Sequence, residues 1–283
     1  MTVILLGAQG RLGTLLGKAA QRADAGWLLQ GRRKGVDVRW SGDPKNKEIF
    51  RPDATLINMI GLTRGTNEAL EAANVTFVRD LLTGARATGL RHVILASSAA
   101  VYGRPADDGS RLKEEDALNP LSDYGRSKCA MEKVANEFAN DLAITVLRIG
   151  NVAGADAIFE ASGAALANRR PLKIDTLSNE RTPLRSYICP TDLYRVVEAT
   201  VRHTPDGLRC LNVAQPEPVA LGELAEAYAT TLFDDLTVTT RPADDAVLPC
   251  VVLSTDRLSE ITPLPSRSAL ELAKDVCDLR AQP

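Results

Sequence analysis

Histidine is nearly missing from this chain: His92 and His203 are the only two among 283 residues. One opens an apolar run and the other closes a helical stretch, and neither has ligand-type neighbours. A zinc site or a Ser-His-Asp hydrolase therefore has nothing to be built on. The five cysteines (Cys129, Cys189, Cys210, Cys250, Cys277) are scattered with no Cys-x-x-Cys spacing, as in a reducing compartment. A phosphate-loop signature, internal repeats and low-complexity tracts are absent. The acidic run Asp107, Asp108, Glu114, Glu115 and Asp116 lacks ligand spacing and reads as a solvated loop, so no metal is expected. Charge of one sign is lacking too. The net charge is −2, with no basic arm or stripe, which argues against nucleic acid as a partner. Met1–Gly7 is apolar but shorter than a signal peptide or membrane span and has no cleavage site. A cytoplasmic location without membrane contact is expected.

What is present is an ordinary globular balance, 45% hydrophobic and 25% charged. The length fits one large α/β domain, or one with a smaller lobe. Thr2–Leu6 is a continuous apolar run, as in a parallel strand buried on both faces. Gly7-Ala8-Gln9-Gly10-Arg11-Leu12-Gly13 follows at once, and a helix-like stretch follows that. Strand, glycine turn and helix in this order form the dinucleotide-binding context, with the helix N-terminus aimed at a pyrophosphate. Gly7, Gly10, Arg11, Leu12 and Gly13 are the residues expected at the cofactor; an ordinary tight turn is the alternative.

Further strands are expected at Trp27–Gln30, Val36–Trp40, Ala54–Ile60, His92–Ala96 and Ala143–Leu147, with a long helix over Glu68–Thr88. At the end of the second strand, where an NAD site commonly carries an acid for the ribose diol, stands Gly31, followed by Arg32-Arg33-Lys34. The run reads either as a grip for a 2′-phosphate or as a solvated loop; NADP is favoured over NAD.

Tyr124 and Lys128 are four apart, so a helix places them on one face. A phenol beside an ammonium makes a proton carrier for neutral pH. Moving tyrosine from about 10 to 7 asks roughly 4 kcal/mol, much of which a nearby positive charge supplies. Ser98, ending a preceding strand, would hydrogen-bond a substrate oxygen. Alone, such a pair reads as a solvated helix face.

Taken together, Gly7-x-x-Gly10-x-x-Gly13, Ser98, Tyr124-x-x-x-Lys128 and Leu147-Arg148-Ile149-Gly150-Asn151-Val152-Ala153-Gly154 resemble the extended short-chain dehydrogenase/reductases, the group of NAD(P)-dependent sugar-nucleotide epimerases and dehydratases. The resemblance covers roughly residues 2–220. It implies a doubly wound parallel sheet with a smaller, discontinuous substrate lobe: residues 1–150 bind the dinucleotide, and 151–283 mostly bind substrate, with 186–214 returning to the sheet.

It also implies roles. Ser98, Tyr124 and Lys128 are the catalytic candidates, with Lys128 lowering the Tyr124 pKa and binding ribose. Asp43 would meet the adenine, Gly61 the cofactor, and Asn74 would support the active-site hydrogen bonds, unless it merely faces solvent. Asn151 and Arg185 would touch a nucleotide-sugar substrate, Arg185 through a phosphate. Gly61-Leu62-Thr63-Arg64-Gly65 replaces the His-Ala-Ala common at that point. Ala99-Ala100 stand where the 4,6-dehydratases carry Asp-Glu, which sets dehydration aside. Hydride transfer at a sugar or nucleotide-sugar carbinol or carbonyl carbon, by an oxidoreductase or epimerase with a Ser-Tyr-Lys site, is the leading expectation. NADPH-dependent reduction of a small carbonyl compound and a non-catalytic NAD(P)-binding sensor are the alternatives, and a homodimer is left open.

Overall fold

The computed structural model describes residues 2–40, 49–105 and 110–281. Its centre is a seven-stranded sheet in the order β11-β6-β5-β4-β1-β2-β3, every neighbouring pair parallel. The first half runs β1 (Thr2–Leu6), α1 (Arg11–Arg22), β2 (Leu28–Gly31), β3 (Val38–Arg39) and β4 (Ala54–Asn58). It continues as α2 (Asn67–Glu71), a π turn (Ala72–Thr76) and α3 (Phe77–Thr88), then β5 (His92–Ser98), α4 (Asp123–Glu137) and β6 (Ile144–Ile149). The doubly wound parallel sheet expected from sequence is what the chain forms.

Alternation along the strands explains the two helical layers. Ile4 and Leu6 of β1 pack with Val78, Leu81 and Leu82 of α3 and with Met131 and Val134 of α4. Val3 and Leu5, pointing the other way, pack with Leu16 and Ala20 of α1. Both faces being covered, β4 and β6 are buried along their whole length. Because β1 lies between β2 and β4, the direction in which successive strands are added reverses there, and the crevice at the carboxyl ends of β1 and β4 is where such sheets take ligands.

Beyond β6 come β7 (Asn151–Val152), α5 (Ala157–Ala167), β8 (Leu172–Thr176), β9 (Leu184–Arg185), β10 (Tyr187–Ile188) and α6 (Pro190–Arg202). Helix α6 starts on Pro190, whose missing N–H costs nothing at a first turn, and lays Val196 and Val197 on the α1 face of the sheet. Strand β11 (Leu208–Val213) then adds to β6. The rest is β12 (Val219–Ala220), α7 (Leu221–Thr231), β13 (Val238–Pro242), β14 (Cys250–Val251), α8 (Asp256–Ser259) and α9 (Ala269–Arg280), which opens on a Ser268/Glu271 capping box. Helices α7 and α9 enclose a second core with Tyr187, Tyr228, Leu224, Leu272 and Val276. Among the described residues no helix is long and apolar enough to cross a membrane.

Candidate functional site

At the end of β1 the chain turns through Gly7 at φ +77°, a conformation a side chain would strain. A Cβ on Gly13 would stand 2.1 Å from the Gly7 carbonyl oxygen, so α1 can pack against the loop only without one. Gly10 caps α1 with no side-chain hydrogen bond, and no acid stands in the first turn. The open amides face a cavity of about 700 Å³ whose walls include Gly10, Arg11, Leu12, Gly61 and Arg64. An uncapped helix N-terminus against a side-chain-free turn is the chemistry a dinucleotide pyrophosphate requires, so these residues fit such a cofactor. Across the cavity mouth, Glu160 of α5 pairs with both Arg11 and Arg64, the latter at 3.2 Å.

Gly31 ends β2, and Arg32 and Arg33 beyond it are exposed. Asp43, expected at the adenine, lies outside the described residues.

Ser98 is the last residue of β5, and its Oγ accepts from Ala100 N at 3.2 Å. Tyr124 is the second residue of α4, which Ser122 caps by accepting from Gly125 N at 3.1 Å. A Cβ on Gly125 would come 2.5 Å from the Ala100 carbonyl oxygen; the bare glycine lets the Tyr124 turn press against the Ser98 loop. One turn on, Lys128 is buried, and its Nζ donates to the Ala96 carbonyl at 2.8 Å. Burial lowers the Lys128 pKa to about 8, against the pull of Glu132. Burial raises that of Tyr124, opposed by a hydrogen bond with Ser98. For the phenol of this structure, desolvation outweighs the Ser98 hydrogen bond.

Beneath this group, Arg148 of β6 donates from Nη2 to Glu132 at 2.8 Å, and the Ser97 hydroxyl donates to the same carboxylate at 2.5 Å. Arg148 also donates to Tyr102 Oη and the Glu114 carbonyl, both at 2.9 Å. With both charges buried and several hydrogen bonds satisfied, this pair ties α4 to β5 and β6.

Asn74 does not line the cavity. It sits fully buried on the π turn, accepts from Leu62 N at 2.9 Å, and donates to the Leu62 carbonyl and to Ser127 Oγ at 2.9 Å each. Its task is to hold the Gly61–Leu62 loop on α4. A Cβ on Gly61 would stand 2.7 Å from Asn74 Oδ1, which the bare glycine avoids.

A second cavity, of about 380 Å³, shares Ser98, Tyr124, Ile149, Gly150 and Asn151 with the first. Arg185, Leu248 and Val251 form its outer part. Asn151 Nδ2 donates to the Ser186 carbonyl at 3.2 Å. Arg185 is half-buried, donates to the Leu184 carbonyl at 2.8 Å and has no carboxylate partner among the described residues; burial lowers its pKa. No group of three or more His, Cys, Asp or Glu side chains suited to a metal occurs among the described residues.

Sequence reasoning missed Arg64, Glu160 and Asp156, all of which line the larger cavity. Arg64 stands inside the departure from His-Ala-Ala, which was its available signal. Asp156 caps α5 through Ile158 N and Phe159 N and accepts from Tyr228 Oη at 2.7 Å and Tyr187 Oη at 3.3 Å. Burial raises its pKa. Neither Asp156 nor Glu160 belongs to a spacing pattern that a single sequence displays.

The family model for the NAD dependent epimerase/dehydratase family matches residues 3–214. UDP-glucose 4-epimerase of Lacticaseibacillus casei is 28% identical over 176 residues, 55% of this chain and 53% of that protein. The chain's match spans about half the length of the curated relatives, 44% and 53% in two of them. MoeE5, solved with UDP-glucuronic acid and NAD, superposes with a TM-score of 0.81 at 20% identity, over 99% of both chains. UDP-glucose 4-epimerase from Brucella ovis, solved with NAD, gives 0.80 at 20%, over 98% of this chain and 97% of its own. At such identities these two likenesses speak for the fold.

Proposed function

The chain belongs to the NAD dependent epimerase/dehydratase family, and from that premise we propose that it is an NAD(P)-dependent enzyme acting at a sugar carbinol carbon, interconverting epimers of a nucleotide sugar. The observation that carries the reading is the shared wall: Ser98 and Tyr124 line both the dinucleotide-sized cavity and the smaller one that holds Arg185. A hydroxyl-bearing carbon at that wall meets both compartments.

Gly7, Gly10, Arg11, Leu12 and Gly13 cradle the dinucleotide, with Gly61 and the rest of its loop along the side and Arg32 and Arg33 at the adenosine end. A bound nicotinamide would supply a reversible hydride acceptor, and hydride return to the opposite face of the carbonyl carbon would give the epimer. Tyr124 takes the carbinol proton as the carbon–oxygen bond becomes a carbonyl, and gives it back on the return. Ser98 donates to the same oxygen and keeps the phenol aligned. Lys128, one helical turn away, supplies positive charge that favours the phenolate. Arg185 holds a substrate phosphate and Asn151 orients the sugar beside it. At the adenosine end, Gly31 offers no acid to a ribose diol, and two arginines follow it, so NADPH is bound in preference to NADH.

The relatives named as UDP-glucose 4-epimerases support the nucleotide-sugar reading. The modest volume of the outer cavity favours a second reading, reduction of a small carbonyl compound. One experiment separates them. UDP-, GDP- and dTDP-hexoses are incubated with the protein and a trace of dinucleotide, and epimers are sought by NMR; small carbonyl compounds are offered with stoichiometric NADPH. Epimer formation supports the first reading, NADPH consumption the second, and neither activity overturns both.

A further inference from the structure

Gln9, the residue between Ala8 and the second glycine of the loop, reaches across to the end of β2. Its Oε1 accepts from Arg32 N at 3.1 Å and from Arg33 N at 2.9 Å, and its Nε2 donates to the Lys34 carbonyl at 3.2 Å. A Cβ placed on Gly31 would stand 2.5 Å from Gln9 Oε1, 2.6 Å from Cδ and 2.9 Å from Cγ. Any side chain at 31 therefore contests the room Gln9 fills. A free glutamine would swing away cheaply. This one would lose three hydrogen bonds, and its backbone is pinned nearby, with Ala8 N donating to the Gln30 carbonyl and Gly7 N to Gln30 Oε1, each at 3.0 Å.

We infer that Gln9 is the selectivity residue of the adenosine end, filling the place of an acidic side chain with a neutral carboxamide and holding the 32–34 turn so that Arg32 and Arg33 meet the ribose 2′ position. The inference rests on the dinucleotide-binding reading above. Position 31 lies at the strand end where a carboxylate would accept from a ribose 2′-hydroxyl and repel a 2′-phosphate. In this chain the acceptor that reaches that place is uncharged and already engaged by two backbone amides. It neither competes for a diol hydroxyl nor repels a phosphate dianion, and the guanidinium groups supply the attraction. Glycine at 31 is then the companion of glutamine at 9, and the two act as a pair.

Binding of NADH and NADPH, followed by fluorescence titration, tests this without any turnover. Gln9→Glu keeps an acceptor of the same shape over the two amides and adds a negative charge. It is expected to raise the ratio of the NADPH to the NADH dissociation constant at least tenfold over wild type. Gly31→Asp alone should weaken both dinucleotides, because the new side chain collides with Gln9. Adding Gln9→Ala to it should restore NADH binding at least tenfold. An unmoved ratio in Gln9→Glu, or a single Gly31→Asp that gains NADH as well as the double variant does, overturns the inference while the dinucleotide reading stands. A wild type that binds neither dinucleotide overturns that reading and the inference with it.

Discussion

The Nζ of Lys128 stands 5.9 Å from the centre of the Tyr124 ring and is anchored on the Ala96 carbonyl, so the ammonium faces the phenol from a fixed point of β5. Rotation of the lysine is not needed to bring charge to the tyrosine.

Tyr124→Phe removes the proposed proton carrier and leaves the ring. Turnover should fall at least about 10²-fold while NADH and NADPH affinities stay near wild type. Lys128→Met should lower both turnover and dinucleotide affinity. Titration and steady-state kinetics on the two variants check this, and near-normal turnover in Tyr124→Phe would refute the assignment.

Arg185→Ala should act on substrate alone. Losing one charge-assisted contact costs about 1.5–3 kcal/mol, a rise in KM of roughly 10- to 150-fold for a nucleotide sugar. Dinucleotide affinity should not move. Calorimetry with the nucleotide sugar and with the dinucleotide gives both numbers, and an unchanged KM would place the phosphate elsewhere.

Glu160→Gln frees Arg11 and Arg64 at the cavity mouth. Because these charges are partly exposed, the gain in dinucleotide affinity should be at most about fivefold. It should shrink as salt is raised from 50 to about 500 mM, where screening shortens the reach of charge. Weaker binding in the variant would mean that Glu160 assists the dinucleotide instead of competing with it.

His92 gives the fold a pH dependence of its own. It is fully buried at the start of β5, with Nε2 3.0 Å from Thr145 Oγ1 and Nδ1 without a partner among the described residues. Burial, with Arg209 and Arg91 nearby, lowers its pKa to about 3. The unfolded chain takes up a proton near pH 6.5, whereas the folded one does not until about pH 3. Stability is therefore complete above 6.5 and lost as pH falls through that window, about 2 kcal/mol by pH 5. Denaturant unfolding at pH 7.5 and pH 5 should show this loss in wild type and a smaller one in His92→Gln; equal losses would assign the effect to other groups.

Much of the sheet and its two helical layers was legible because long apolar runs and 3.6-residue periodicity are strong signals. Thr2–Leu6 is formed to the residue. The second strand lies one residue later than expected, at Leu28–Gly31, since Trp27 packs on Tyr194 before the ladder begins. Strands β7, β9, β10 and β12 are two residues each, too short for any period to register. The pair at 124 and 128 was legible because its spacing is local, and Ser98 because it ends an apolar run. What escaped are pairs that only folding brings together: Glu160 with Arg11, Asp156 with Tyr228, and Gln9 with Gly31. The raised pKa of Tyr124 escaped for a related reason, since desolvation depends on everything packed around a phenol and not on the lysine one turn away.

The π turn at Ala72–Thr76 has a consequence for how this chain tolerates length changes. A π turn takes one residue more than the regular ladder needs, so it works as a phase shifter between Asn67–Glu71 and Phe77–Thr88. Deleting one residue there would restore an unbroken helix and turn everything on one side of the deletion by about 100° relative to the other. Either Asn74 would leave Leu62 and Ser127, or Val78, Leu81 and Leu82 would leave the sheet. The hydropathy pattern would hardly register such a deletion, yet the loop beside the larger cavity and the core would then demand incompatible settings of the same helix.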